Sequence, residues 1–129
     1  MTYLVDTHVL LWWWSESTKL ASRVKSSIIE QENRILVGAA SMWEISTKTR
    51  LGKLPSGEAI LREWNERIVQ DRFQELPITA AHARLAGSFT HEHRDPFDRM
   101  LAAQGLIEKI PILSRDQSIS DLGASRIWD

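Results

Sequence analysis

Short apolar runs recur along the chain, TYLV at 2–5, RILVG at 34–38 and PILS at 111–114, and stretches of helical spacing separate them. Runs this short and this uniformly apolar suit strands covered on both faces, and helical crossovers between them make neighbouring strands parallel. FQELPI at 73–78 reads as a third strand and SRIW at 125–128 as a last short one. The helices expected between them begin at His8 and at Ser17 or Thr18, the latter capping KLASRVKSSIIEQ. A further helix over AASMWEISTKTRLG ends at Gly52. GEAILREWNERIVQ forms one amphipathic helix, and TAAHARLAGSF is capped by Thr79. DPFDRMLAAQGLIEK has a sharp start, with Asp95 as N-cap, Pro96 at the first helical position and Asp98 at the third. The fold class expected is α/β, a three-layer α/β/α sandwich around a central, mainly parallel sheet, with 1–129 forming one domain.

In such sheets ligands bind beyond the carboxyl ends of the strands. Acids stand at those places. Asp6 interrupts the apolar run TYLVDTHVLLWWW just after the first strand, Glu44 sits in the helix after the second, and Asp95 and Asp98 open the helix before the fourth. Asp116 follows the fourth strand. Taken alone, the four aspartates have plain structural explanations, Asp6 and Asp95 as caps, Asp98 as a favourable charge at a helix N-terminus and Asp116 as a turn former, whereas Glu44, amid the apolar Met42, Trp43 and Ile45, is either on a narrow solvent stripe or functional. Those explanations do not say why four acids fall at one end of one sheet. Like charges held close repel unless a cation joins them or protons neutralise them. An all-oxygen donor set favours magnesium, with manganese as the alternative; the absence of cysteine and of any His-x-x-x-His pair argues against zinc. Carboxylate-held magnesium suits phosphate chemistry, and without a P-loop what remains is hydrolysis of a phosphodiester or metal-dependent binding alone.

The net charge is −1, from 16 Lys and Arg against 17 Asp and Glu, so any nucleic-acid surface has to be local rather than global. No run reaches the length of a membrane helix and no basic flank marks a signal peptide, which together suggest a cytoplasmic protein with no membrane partner.

The segments YLVDTHVLLWW, AASMWEISTKTRLGKL, HRDPFDRMLAAQ and ILSRD, taken in that order, resemble the PIN domain, and more narrowly the VapC-type ribonuclease toxins of type II toxin–antitoxin pairs. The resemblance implies a magnesium-dependent endoribonuclease whose catalytic, metal-holding acids are Asp6, Glu44, Asp98 and the more variable Asp116. Asp95 would support them, and Thr7 and Ser114 are candidates to hydrogen-bond the acids or the metal's waters. A metal-activated water would attack phosphorus, releasing a 5′ phosphate and a 3′ hydroxyl. The resemblance also implies a cognate antitoxin, an RNA substrate and a homodimer or a dimer of toxin–antitoxin heterodimers. Arg99, beside Asp98, is a candidate for the scissile phosphate or for pairing with a site acid. Lys48, Arg50 and Lys53 form the densest basic stretch and are candidates for the RNA backbone, although complementarity to a helix C-terminus explains them equally well.

Trp12, Trp13 and Trp14 are consecutive on a helix, where successive side chains point about 100° apart, so they cannot share one core-facing stripe. At least one is expected at an interface with the second subunit or the antitoxin, in preference to stacking on RNA. Two phosphate-handling folds of similar layering are disfavoured. A receiver domain needs paired acids after the first strand, and a haloacid-dehalogenase-type phosphatase needs an Asp where His8 stands. The alternative function is a non-catalytic RNA-binding or scaffolding module on the same fold, although decayed sites usually lose acids and this one keeps them.

Overall fold

The computed structural model describes residues 1–129. Five strands form one sheet in the order β3-β2-β1-β4-β5, with β1 at Thr2–Val5, β2 at Arg34–Gly38, β3 at Gln74–Leu76, β4 at Ile112–Leu113 and β5 at Arg126–Ile127. Every pairing is parallel, so the sheet is wholly rather than mainly so. Eight helices connect the strands: α1 (Thr7–Ser15), α2 (Ser22–Ile29), α3 (Ala39–Arg50), α4 (Gly57–Arg62), α5 (Trp64–Gln70), α6 (Ala80–Ser88), α7 (Pro96–Glu108) and α8 (Gln117–Asp121).

Alternation along the strands separates two apolar layers. Tyr3, Val5, Ile35, Val37 and Leu113 face one way, into a cluster with Val9, Leu10, Val24, Ile45, Ile60 and Trp64 from the first five helices. Leu4, Leu36 and Ile112 face the other way, onto Leu101 and Ala102 of α7 and Ile119 of α8. The three-layer sandwich follows directly from these strands' apolar side chains pointing to both sides.

Two helices depart from the sequence expectation. The segment after α1 is not capped by Ser17 or Thr18. Ser17–Lys19 make a single 3-10 turn, Leu20 is extended and buried, and α2 starts only at Ser22 with no side-chain cap. Burying Leu20 in the first core cluster takes the residue that a continuous helix would need. The helix expected over 57–70 breaks at Glu63 into α4 and α5. The break lets Trp64 send its indole N–H to Glu75 Oε1 of β3 at 2.8 Å while α4 stays against α3. That second contact needs Gly57, because a Cβ there would lie 2.9 Å from Thr49 Cβ. α3 does end as expected, with Gly52 at φ +72°.

Candidate functional site

Val5 of β1 lies opposite Leu113 of β4, so the next residues along each strand emerge together at the same sheet edge. Ser114 Oγ donates to Asp6 Oδ2, and the Asp116 backbone N–H donates to Ser114 Oγ at 3.0 Å. Asp6 Oδ1 accepts from the Val9 N–H at 2.7 Å, which caps α1. On the other side of β1, β2 delivers α3, whose Ala40, Ser41 and Glu44 turn to the same edge. The first turns of α7 add Phe97, Asp98 and Leu101. Asp6, Glu44 and Asp98 therefore line one cleft, although 38 and 54 residues of chain separate them. The space inside it is about 10 Å³, the size of one water or one ion.

Each acid has a partner within the chain. The Lys48 ammonium, one helical turn on, donates to Glu44 Oε2. His93 Nε2 lies 2.8 Å from Asp98 Oδ2. Asp95 caps α7, accepting from the N–H groups of Phe97 and Asp98. Asp116 caps α8, accepting from Ser118 N–H at 2.9 Å. Burial pushes the Asp6 carboxyl above its ordinary range, against the opposing pull of Ser114 and the Val9 N–H, and Asp116 adds repulsion. Burial likewise pushes Asp98 up to about 6, with Asp95 and Asp116 adding to it and the His93 hydrogen bond opposing it. Asp116 is different: burial raises it, but the Ser118 hydrogen bonds, with His93 and Asp98 adding to them, together hold it below the ordinary range.

As these side chains are oriented, no three acidic or imidazole groups converge closely enough to share an ion. Lys48 and His93 each engage one oxygen of their carboxylate, Glu44 Oε2 and Asp98 Oδ2. The donor set still fits a hard divalent cation. It is all oxygen, and two of its carboxylates are held in a setting where the charged form is disfavoured, which a cation would relieve.

These shifts have a consequence for stability. A carboxyl whose folded pKa lies above its unfolded value of 3.8 binds its proton more tightly in the native state, so it costs stability as pH rises through the window from there to about 6. Asp6 acts in the same sense and Asp116 in the opposite one. Metal-free wild-type protein should therefore lose more melting temperature between pH 5 and 7.5 than Asp98→Asn does, by a few degrees. Thermal denaturation of both proteins across that range checks it, and equal slopes would contradict it.

Several expected site residues take other roles. Arg99 contacts no phosphate-facing edge and no acid. Its guanidinium donates to the carbonyls of Ala86, Phe89, His91 and His93 at 2.8–3.1 Å and clamps the 89–93 loop, because a fork of five donors suits a ring of carbonyls. Thr7 Oγ1 bonds Ser41 Oγ at 3.0 Å rather than an acid, and both are buried. Lys48 is drawn to Glu44, whereas Arg50 and Lys53 are exposed and make no side-chain contact with an acid. Trp13 and Trp14 both donate to Asp71 Oδ2, at 3.1 and 2.8 Å, and Trp14 packs edge-on against Trp64. Ser41 and Phe97 also line the cleft without being marked by the sequence pattern, and His93, which the sequence offers with His91 as a loop residue that could touch substrate, reaches the site through Asp98. His93, five residues before Asp98, carries the only local signal, a histidine beside an acid.

A family model described as the PIN domain matches residues 3–124. No curated protein sequence matches the chain. Among solved structures, the chain is similar to a chain of VapBC2 from Rickettsia felis bound to a DNA fragment from their promoter, with TM-score 0.73, 12% identity and full coverage of both chains. FitAcB from Neisseria gonorrhoeae is similar at TM-score 0.69 and 18% identity, covering 97% of this chain and 96% of that one. VapBC-5 of the VapBC toxin–antitoxin family, from Mycobacterium tuberculosis, follows at TM-score 0.62 and 14% identity, covering 98% and 95%.

Proposed function

The chain belongs to the PIN domain family, and from that premise we propose that it is a magnesium-dependent endoribonuclease, the toxin of a toxin–antitoxin pair. The observation that carries the proposal is the cleft in which Asp6, Glu44 and Asp98, delivered by three separate elements, stand together beyond the carboxyl edge of a parallel sheet. Asp116 adjoins it closely enough for its charge to act on both Asp6 and Asp98. These four would hold the cation, with manganese able to replace magnesium. When bound, the cation neutralises a phosphodiester's oxygens and lowers the pKa of water.

The chain's own groups prepare that chemistry. The Ser114 hydroxyl fixes the Asp6 carboxylate, and the Val9 N–H fixes its other oxygen. Asp95 holds the first turn of α7 in place and so sets Asp98 at the rim. Lys48 puts a positive charge beside Glu44, where an RNA phosphate would arrive, and Arg50 and Lys53 extend that charge along the end of α3. Ser41 and Ser114 are buried and hydrogen-bonded, so they hold other groups rather than attack phosphorus, and water is left as the nucleophile.

The similarity to VapBC-5, a member of the VapBC family of toxin–antitoxin systems, and to a toxin–antitoxin complex from Klebsiella pneumoniae supports a cognate antitoxin as partner, and a homodimer or a dimer of toxin–antitoxin heterodimers would be the working form. In those assemblies Trp13 or Trp14 would border a neighbouring chain, since both are only partly covered within this one. No helix is long and apolar enough to cross a membrane.

The test is incubation of the purified, partner-free protein with total RNA. Cleavage should appear with magnesium and vanish with EDTA. Cleavage that persists in EDTA would contradict the proposal. RNA binding without any cleavage would favour a binding module on this fold, a reading to which the Glu44–Lys48 and Asp98–His93 pairs lend some support.

A further inference from the structure

A second hollow adjoins the acid cleft. It is lined by Asp6, His8, Trp12, Arg115 and Asp116, and it shares Asp6 and His8 with the cleft. Its volume is about 300 Å³, the lower end of what small-molecule pockets offer. Whatever fills it lies against the same carboxylate that faces the cleft.

Its two characteristic side chains are uncommitted. Trp13 and Trp14 give their indole N–H groups to Asp71, but Trp12 gives its own to no group in the chain. The Trp12 ring lies tilted against two neighbours, 6.1 Å from Trp128 and 6.0 Å from His8, and it remains partly exposed. Arg115 is exposed and makes no ion pair, although Asp116 is its neighbour in sequence and in the hollow. With its planar fork of donors unpaired, Arg115 is free to take a phosphate in a bidentate contact. Lys19, its ammonium 5.9 Å from the Trp12 ring centroid, is paired with Glu16 at 2.9 Å, which leaves Arg115 as the cation free for a ligand.

We propose that this hollow receives the base of the nucleotide next to the scissile phosphate, stacked on Trp12, while Arg115 holds a neighbouring phosphate. The proposal rests on the ribonuclease reading and narrows its substrate class. A base can enter only if it is free of a helical stack, so the cut falls in a single-stranded segment or a loop. Stacking on an indole tolerates every base, so the hollow fixes the position of the nucleotide more than its identity. This use of Trp12 is the one the sequence favours less for the three tryptophans, and it leaves the interface expected of at least one of them to Trp13 or Trp14.

The experiment uses short single-stranded RNAs, intact or with one abasic nucleotide scanned through them. Affinity is read by fluorescence anisotropy without metal and as KM with magnesium. Wild type should lose about 10-fold in affinity when the abasic position falls next to the cut. Trp12→Ala should lose a similar factor on intact RNA and be insensitive to that abasic position, while Trp12→Phe keeps most of the affinity. Arg115→Ala, which disturbs no packing, should weaken binding to all these RNAs and reduce the salt dependence by about one phosphate contact. If wild type binds and cleaves but Trp12→Ala and Arg115→Ala match it, the hollow is not a nucleotide site and the ribonuclease reading stands. The hollow is likewise excluded if the abasic penalty persists in Trp12→Ala, or if Trp12→Ala loses only a partner protein. If wild type neither binds nor, with magnesium, cleaves any of these RNAs, both readings fall together.

Discussion

Asp6→Asn should lower RNA cleavage at least about 100-fold while leaving the protein folded, with a melting temperature within a few degrees of wild type or above it. Asp6 is 6% exposed, and burial disfavours its charge. The carboxamide removes that charge but preserves most of its structural work. Its oxygen can still accept from the Val9 N–H, and its NH2 can donate to Ser114 Oγ, which already accepts from Asp116 N–H. A residue kept for stability would behave in the opposite way, with activity falling only as far as folding fell. Measuring cleavage rate and thermal midpoint on the same preparation separates the two. Substantial unfolding, or cleavage within a few-fold of wild type, would mean that Asp6 is a helix cap and little else.

Arg99→Ala should produce the complementary result, a loss of about 2–4 kcal/mol in folding stability. Four backbone carbonyls converge on the Arg99 guanidinium, which also lies 5.6 Å from the Phe89 ring centroid. Removing it leaves those acceptors to find water in a partly buried place. Arg99→Lys should recover only part of the loss, because an ammonium cannot reach the same ring of acceptors as a planar fork. The loop it clamps carries His93 to Asp98, so activity should fall as well, but through disorder of that loop rather than through a lost contact with substrate. Urea denaturation of both variants reads the stability change, and a difference below about 0.5 kcal/mol for Arg99→Ala would contradict the clamp.

These two residues also show what sequence can and cannot convey. The strand positions, the start of α7 at Asp95 and Pro96, and the gathering of acids at one sheet edge are legible because each depends on local pattern plus one rule of parallel sheets. The meeting of Asp6 with Ser114 is nearly legible, since it follows once β1 and β4 are neighbours in register. Arg99 is not. Its place beside Asp98 suggests the site, but a helix turns successive residues about 100° apart, and its side chain leaves toward α6 and the loop. The break at Glu63 is equally hidden, because Ile60, Trp64 and Ile68 keep helical spacing straight across it and only the contact of Trp64 with Glu75 in β3 requires the turn. The pairing of Lys48 with Glu44 follows from i,i+4 spacing on α3, whereas that of His93 with Asp98 depends on the path of the 89–93 loop, which no motif describes.

The central claim is that acids from separate elements share one divalent cation. Calorimetric titration of manganese into the metal-free protein tests it most directly, because it requires neither RNA nor turnover. Wild type should bind manganese at this cleft with release of protons below about pH 6, as Asp98 gives its proton up, and both Asp6→Asn and Asp98→Asn should bind it at least about 10-fold more weakly. Manganese affinity unchanged in both variants, or no binding by wild type, would contradict the claim.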